Sequence, residues 1–411
     1  MDMSQHGRSG YRPFFLCPIS LEIMEDPVTV ATGVSYDRRS ISRWLADHDT
    51  CPVTNQRLTD LTLTPNATLL RLIRSWSTTT TIAAFVSFPE ISEILRDLRD
   101  RSVHSDGKLR ALKKIKTLLL RGADAGGCVD TLLSMEEAGV TSLVASLLIC
   151  EPSSYLEITD ELNVLIDEAA VTLHLLKPSS ETLKVVSERN EGELIASLAS
   201  LLQRGSYQGR VGAALLLSSI FEVVGEELKS RLPSDVIEAV VEVLKDQNAS
   251  RRTTMALLTV LLEVLPRGDN RCKAVETGLV DVMVELLVED GAVDKRKCEV
   301  MLAVLENMCR TAEGRAELVA HPAGLAAVAA RLVGVSSEVT EWAVRVLVLV
   351  CRNCGGDAVA EELMQVGGVT RLFAMVQMDG DRMTKMMAKK ILAMHMKKWS
   401  KSPCFPSYCF P

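Results

Sequence analysis

From Phe88 onward the chain repeats itself, and a repeat of this length leaves few folds open to it. Gly278 followed by Leu279, Val282, Met283 and Leu286 returns as Gly324 with Leu325, Val328, Ala329 and Leu332. It returns again as Gly368 with Val369, Leu372, Phe373 and Val376. Earlier copies start at Gly139, with Val140, Leu143, Val144 and Leu147, and at Asp235, with Val236, Ala239, Val240 and Val243; a weaker copy starts at Gly192. Apolar residues at this spacing share one face of a helix. The anchors lie about 44 residues apart, except for a longer first interval, which Glu151 to Asp160 would fill as an inserted loop. A second apolar helix follows each copy, for example Met255 to Leu265, Lys297 to Arg310 and Trp342 to Arg352. Such a unit cannot bury its apolar face alone, so the units must stack into an α-solenoid.

The array has expected ends. Ile91 to Asp100 and Lys108 to Arg121 read as an incomplete leading repeat, and Lys385 to Lys401 as a closing cap, with Met386, Leu392 and Trp399 on one side and six lysines elsewhere. A basic amphipathic helix of this kind can bind membranes or calmodulin, but the preferred reading is the solvated outer face of a terminal repeat. The Pro- and aromatic-rich tail after it reads as flexible.

Ahead of the repeats lies a different pattern. Apolar residues flank a Thr32-Gly33 turn between Val28 and Tyr36, which predicts a short β-hairpin. Asp37 stands where a helix N-cap belongs, with Ile41, Trp44, Leu45 and His48 at helical spacing behind it. Asn66 caps a second short helix carrying Leu69, Ile73 and Trp76. The expected boundaries are 10–77 for this module, 78–88 for a Ser/Thr-rich linker, 89–400 for the solenoid and 401–411 for the tail. The fold class is mostly α, a small α+β module followed by the solenoid.

Composition narrows the function. The 411 residues are 47% apolar, enough for a substantial core, and carry a net charge of −7 with scattered Lys and Arg. That distribution argues against a phosphate-tracking nucleic-acid surface and favours protein partners. Eleven cysteines, an odd number spread thinly, read as reduced intracellular thiols. The first residues lack the apolar stretch of a signal peptide, and no apolar run reaches the length of a membrane span, so no integral membrane association is expected.

Two half-empty cysteine pairs mark the module. Cys17-Pro18-Ile19-Ser20 and Cys51-Pro52-Val53-Thr54 keep the C-x-x-C frame of a zinc site, but each has lost one thiol. A structural zinc needs four Cys or His ligands, and between Tyr11 and Trp76 only Cys17, Cys51 and His48 are on offer. Neither metal nor cofactor is expected. Ser20 and Thr54 fill the missing thiol positions, where hydroxyls can donate and accept hydrogen bonds. Asp26, Asp37, Arg38 and Arg39 can add charge-assisted bonds to the same loops. Cys17 and Cys51 themselves are expected to pack as small hydrophobes.

These residues resemble the U-box, a RING-like fold without metal. The likeness runs through Phe15 to Ser20, Asp26-Pro27-Val28, Gly33, Tyr36-Asp37-Arg38, Ile41, Trp44-Leu45, Cys51-Pro52 and Leu63 to Asn66, and on to Leu70, Ile73 and Trp76. The period of the second part resembles armadillo repeats, with HEAT repeats as the alternative. Together they resemble the plant U-box/armadillo class of E3 ubiquitin ligases.

That resemblance carries expectations of its own. Ile19, Trp44 and Pro52 become the contacts for a ubiquitin-charged conjugating enzyme, with Val28 packing beneath them. The conjugating enzyme supplies the thioester, so no covalent catalytic residue is implied here. Asn55 is the candidate for positioning ubiquitin, at a place where many active relatives carry an Arg. The armadillo groove would recruit the protein substrate, and assembly through the U-box into a homo-oligomer is a further expectation. Asn307 and Trp342 lack the repeated counterparts of import adaptors that clamp extended peptides. Plant stress and immune signalling is the implied setting and the cytoplasm the implied location, with the nucleus and the membrane surface as alternatives. A noncatalytic armadillo scaffold with a weakened U-box is the competing function.

Overall fold

The computed structural model describes residues 15–20, 24–46, 48–73, 88–100, 105–124, 128–149, 160–189, 192–290, 294–354 and 356–401. The linker, the inserted loop, Trp76 and the C-terminal tail read from sequence lie outside them or at their edges. The chain divides into two compact units, taken here in turn.

The N-terminal module is a three-stranded antiparallel sheet with two short helices. Strands β1 (Pro27–Thr29) and β2 (Ser35–Asp37) pair in the register Val28 to Tyr36, and β3 (Thr64–Pro65) adds to the free edge of β1. The turn between β1 and β2 closes where Gly33 adopts φ 83°, a conformation that glycine takes without steric cost. Helix α1 (Arg38–Leu45) starts at Asp37, whose extended backbone and carboxylate accepting from the Arg39 N–H make it an N-cap. α1 is shorter than the sequence pattern suggests, because it ends at Leu45 and leaves His48 in the following loop. Helix α2, residues 67–73 as far as described, is capped by Asn66, whose Oδ1 accepts from the Leu69 N–H at 2.9 Å.

β3 is the element that periodicity does not reveal, since two residues carry no pattern. It is held instead by Asn66, whose backbone N–H donates to Pro27 O at 2.8 Å and whose amide reaches the hydroxyls of Thr29 and Ser35. A core of Cys17, Met24, Val28, Val30, Tyr36, Ile41, Cys51, Leu58 and Ile73 fills the module.

The rest of the chain is an array of helices, of which Ile91–Thr117 and the residues from Met135 onward make up the second unit and Leu118–Ser134 is grouped with the first. After α3 (Phe88–Arg99) and α4 (Ser105–Asp124), the order of a short first helix, a second, and a longer third recurs six times. The first helices are α5 (Cys128–Glu137), α8 (Ser180–Arg189), α11 (Glu226–Ser230), α14 (Gly268–Glu276), α17 (Ala312–Ala320) and α20 (Asp357–Gln365). The second are α6 (Val140–Leu148), α9 (Glu193–Arg204), α12 (Ser234–Lys245), α15 (Leu279–Asp290), α18 (Gly324–Ala329) and α21 (Gly368–Gln377). The third are α7 (Asp160–Leu175), α10 (Tyr207–Val223), α13 (Arg251–Val264), α16 (Lys295–Met308), α19 (Ser337–Asn353) and α22 (Arg382–Trp399). Three helices per repeat is the armadillo arrangement. Each third helix packs on the next, from α7 to α22, so the apolar face of one repeat is buried by its neighbour.

Two sequence expectations change here. The basic segment Lys385 to Lys401 forms most of α22, the third helix of the sixth repeat, with Leu392 and Trp399 buried, while Met386, expected on the same side as these two, is exposed on the opposite face. The repeat glycines also differ in kind. Gly139, Gly192 and Gly278 take positive φ just ahead of their helices, and in the last repeat Gly367 does so in place of Gly368. Gly324 has ordinary φ and is required for space, since a Cβ there would collide with the carbonyl of Leu318.

Polar staples register the stack. The Glu136 carboxylate accepts from the Ser179 N–H at 2.9 Å and the Thr182 hydroxyl at 2.6 Å, and Asp167 accepts from the Ser206 N–H at 2.9 Å. Asn270, fully buried, donates to Lys229 O at 2.8 Å and Val264 O at 2.9 Å. At the last turn the Trp399 indole donates to Ala360 O at 2.8 Å.

Candidate functional site

The two loops that carry the half-empty cysteine pairs are tied to β2 and α1 by hydrogen bonds. In the first loop the Cys17 sulfur, fully buried, accepts the Asp37 N–H at 3.3 Å. Burial raises the thiol's pKa, but backbone donors at Ser20, Asp37 and Ile19, with the Ser20 hydroxyl, outweigh it and hold Cys17 below the ordinary thiol range. In the second loop the Cys51 sulfur is also fully buried, 3.2 Å from the Thr32 hydroxyl and 3.0 Å from that of Tyr36. Burial again raises its pKa, and hydrogen bonds from Thr32, Thr54 and Tyr36 more than reverse the effect, bringing it down to about 6. The sulfurs are therefore acceptors at the centre of each loop, where the sequence suggests only small hydrophobes. Ser20 and Thr54, in the places of the missing thiols, donate to the thiol that remains.

Asp37 holds the first loop from the other side. One carboxylate oxygen accepts the backbone N–H groups of Glu25 and Asp26 at 2.9 and 3.0 Å, and the other accepts from Arg39 N–H. Arg38 pairs with Asp26 twice, through its backbone N–H to the carbonyl at 2.9 Å and through Nε to the carboxylate at 2.6 Å. Both side chains are well exposed, so the ion pair adds little stability by itself and serves to fix the loop. Arg39 enters the network through its backbone N–H. Among the described residues no three His, Cys, Asp or Glu side chains lie where they could hold a metal ion.

Ile19 and Trp44 are half-buried and pack against the module's core, one from the first loop and one from α1. The Trp44 indole N–H donates to Thr50 O at 2.8 Å, which fixes the ring against the second loop. His48 stacks on it, with ring centroids 4.2 Å apart and planes within 15°. Pro52 is half-buried and Val53 beside it is 57% exposed, although the Val53 N–H is anchored to the Tyr36 hydroxyl at 3.2 Å. Val53 is apolar surface that sequence reading passes over; its place inside the Cys51-to-Thr54 frame is the available signal. Val28 is fully buried.

Asn55 is exposed and has φ 59°, one of two non-glycine residues in the left-handed region among those described. Its N–H donates to Cys51 O at 2.9 Å, while the Cys51 N–H donates to Gln56 O, closing a tight turn. Asparagine tolerates this conformation better than other side chains do. The backbone conformation thus gives a reason for Asn at residue 55 that is independent of any contact of its amide.

Comparison with known proteins agrees with this architecture. Residues 13–82 match the U-box domain and residues 90–410 match the plant U-box protein ARM repeat region. The chain belongs to the plant U-box/armadillo-repeat family of E3 ubiquitin ligases. It is 37% identical to E3 ubiquitin-protein ligase PUB23 of Arabidopsis thaliana, over 96% of this chain and 95% of that protein. It is 35% identical to E3 ubiquitin-protein ligase PUB22 of the same plant, over 96% of each. Among solved structures, computationally designed armadillo repeat proteins for modular peptide recognition align with a TM-score of 0.46 and 17% identity, over 61% of this chain and 98% of theirs.

Proposed function

We propose that this protein promotes transfer of ubiquitin from a charged conjugating enzyme, docked on Ile19, Trp44 and Pro52, to lysines of a protein held by the armadillo repeats. The observation that carries the reading is the seating of Ile19 and Trp44 against one small core, with Trp44 tied to the second loop through Thr50 O. An aliphatic, an aromatic and a proline on loops fixed in this way make a small desolvated contact suited to a weak, reversible partner. Val53 extends that apolar surface.

The chemistry belongs to the partner. A substrate lysine amine attacks the thioester carbonyl, the amide forms, and the conjugating enzyme's thiolate leaves. The ligase restrains the two reactants in a productive pose and so lowers the entropic part of the barrier. Cys17 and Cys51 are fully buried and engaged by several donors, which supports direct transfer without a ubiquitin thioester on this chain. The repeats raise the substrate's local concentration. The setting proposed for this activity is the one the resemblance implies, plant stress or immune signalling.

The test is a reaction with activating enzyme, a panel of conjugating enzymes, ubiquitin and ATP. Self-modification is expected, and it should disappear in Trp44→Ala and in Ile19→Asp with the helical circular dichroism of the array retained. A wild-type chain inert with the whole panel would instead favour the noncatalytic scaffold. The presence of Asn55 at a place where an Arg fork could contact both partners is the observation on that side.

A further inference from the structure

We infer that the outer face of α22 is a docking surface for an acidic amphipathic helix of a partner protein. Helix α22 carries Arg382, Lys385, Lys389, Lys390, Lys397 and Lys398 and not one Asp or Glu from Arg382 to Trp399, in a chain whose net charge is −7. One side of it is used: Thr384, Ala388, Ile391, Leu392, His395 and Trp399 are buried, and the helix packs on α19, α20 and α21. The opposite side is exposed and holds two kinds of residue. Met383 is 58% exposed, Met386 55% and Met394 39%, and Lys389, Lys390 and Lys397 lie among them. At 3.6 residues per turn these six fall on one stripe.

The charges on this stripe are available. Lys398, off its edge, is paired with Asp357 and Glu361, but Lys389, Lys390 and Lys397 make no ion pair among the described residues. Three lysines with no ion-pair partner among the described residues call for an anionic partner, and three long apolar side chains in their midst call for apolar anchors on that partner. Both needs are met by a helix with leucine-like residues on one face and carboxylates along its borders. Methionine is the flexible, polarizable side chain that adapts to such a helix. A lipid surface would be met by Trp, Phe or Leu at the apolar positions, and this face has none; Trp399 is buried and hydrogen-bonded.

The experiment uses the full chain and a fluorescein-labelled 20-residue peptide with Leu on one helical face and Glu on the other, read by anisotropy. Binding is expected to weaken about tenfold between 0.05 and 0.3 M salt, because the contact is partly ionic and exposed. Lys389→Glu with Lys390→Glu, and separately Met383→Gln with Met386→Gln, should each raise Kd at least about tenfold, with circular dichroism unchanged. Failure of the peptide to bind, or equal binding by both double variants, would overturn the proposal. So would equal binding of the same peptide with Lys in place of Glu, or tighter capture by phosphatidylserine vesicles. Self-association of the chain that the variants abolish would assign the face to a second copy, and a tenfold gain on ending the chain at Lys401 would assign it to residues 402–411. Either result would replace the proposed partner.

Discussion

The Tyr36 hydroxyl lies 3.0 Å from the Cys51 sulfur and accepts the Val53 amide proton at 3.2 Å. With the Cys51 thiol's pKa held low by its hydrogen bonds, the sulfur is the acceptor of the Tyr36 hydroxyl proton, so one phenol from β2 fastens both the base and the rim of the second loop. Burial and the neighbouring Cys51 sulfur push the Tyr36 pKa upward, which keeps that proton in place.

Tyr36→Phe keeps the buried ring and removes only this link. The sulfur loses a donor and the Val53 N–H loses its acceptor, a cost of about 1–3 kcal/mol for partners left unsatisfied in the interior. Hydrogen exchange of the Val53 amide in the whole 411-residue chain should accelerate by at least about tenfold, with exchange in α13 to α19 unchanged. An unchanged Val53 amide would show that the loop is held by other means.

Cys51 makes the module's stability depend on pH. Its folded pKa is about 6, below the ordinary thiol value, so between the two the unfolded thiol holds a proton that the folded sulfur does not. A depressed pKa stabilises the fold above the unfolded value, and that stabilisation is lost as pH falls toward 6. Local opening of the second loop, followed by hydrogen exchange corrected for intrinsic rates, should become easier from pH 9 down to 6. Cys51→Ser removes the titrating sulfur and should flatten the trend. A wild-type profile no steeper than that of the serine variant would mean that the sulfur stays protonated.

How much of this could be read from the sequence depends on the reach of each interaction. The solenoid is legible because it rests on many local apolar periods, and Asp37 and Asn66 are legible because capping is local. What escapes is the pairing of residues distant in the chain. Nothing near Cys51 announces that Thr32 and Tyr36 will turn their hydroxyls onto it, and nothing near β1 announces a partner at Thr64–Pro65. Ile19 and Trp44 can be picked out by position, but their exposure and the Trp44-to-Thr50 tie require the fold. Helix α22 is legible as the end of the array, but Met386 is misplaced, because an apolar side chain reads as buried whether it meets a neighbouring helix or solvent.

Asn55 yields a test that separates backbone from side chain. At φ 59° a residue with a Cβ pays about 1–2 kcal/mol, a penalty reduced for Asn and absent for Gly. Asn55→Gly should leave the module's thermal stability within a few tenths of a kcal/mol, whereas Asn55→Arg should lower it by about 1 kcal/mol. Equal stability of the two variants would remove the conformational reason for Asn and return the choice of residue 55 to its contacts.

Asn270 and Asn307 give the last comparison, one asparagine from each of two helices in a single repeat. Asn307 stands out in the sequence beside the peptide-clamping pattern of other armadillo proteins, yet its amide only reaches back to Ala303 O in its own helix at 3.0 Å. Asn270 attracts no notice and is fully buried, donating to the carbonyl of Lys229 in α11 and to that of Val264 at the end of α13. It closes two helix ends of the preceding repeat with one side chain. Asn270→Ala leaves both carbonyls short of a donor in the interior and should cost about 2–3 kcal/mol; Asn307→Ala should cost under about 1 kcal/mol. Because a repeat array need not unfold in one step, the measurement is native-state hydrogen exchange across α11 to α14. Faster exchange confined to those helices in Asn270→Ala is the expected result, and equal behaviour of the two variants would show that the junction is held by apolar packing alone.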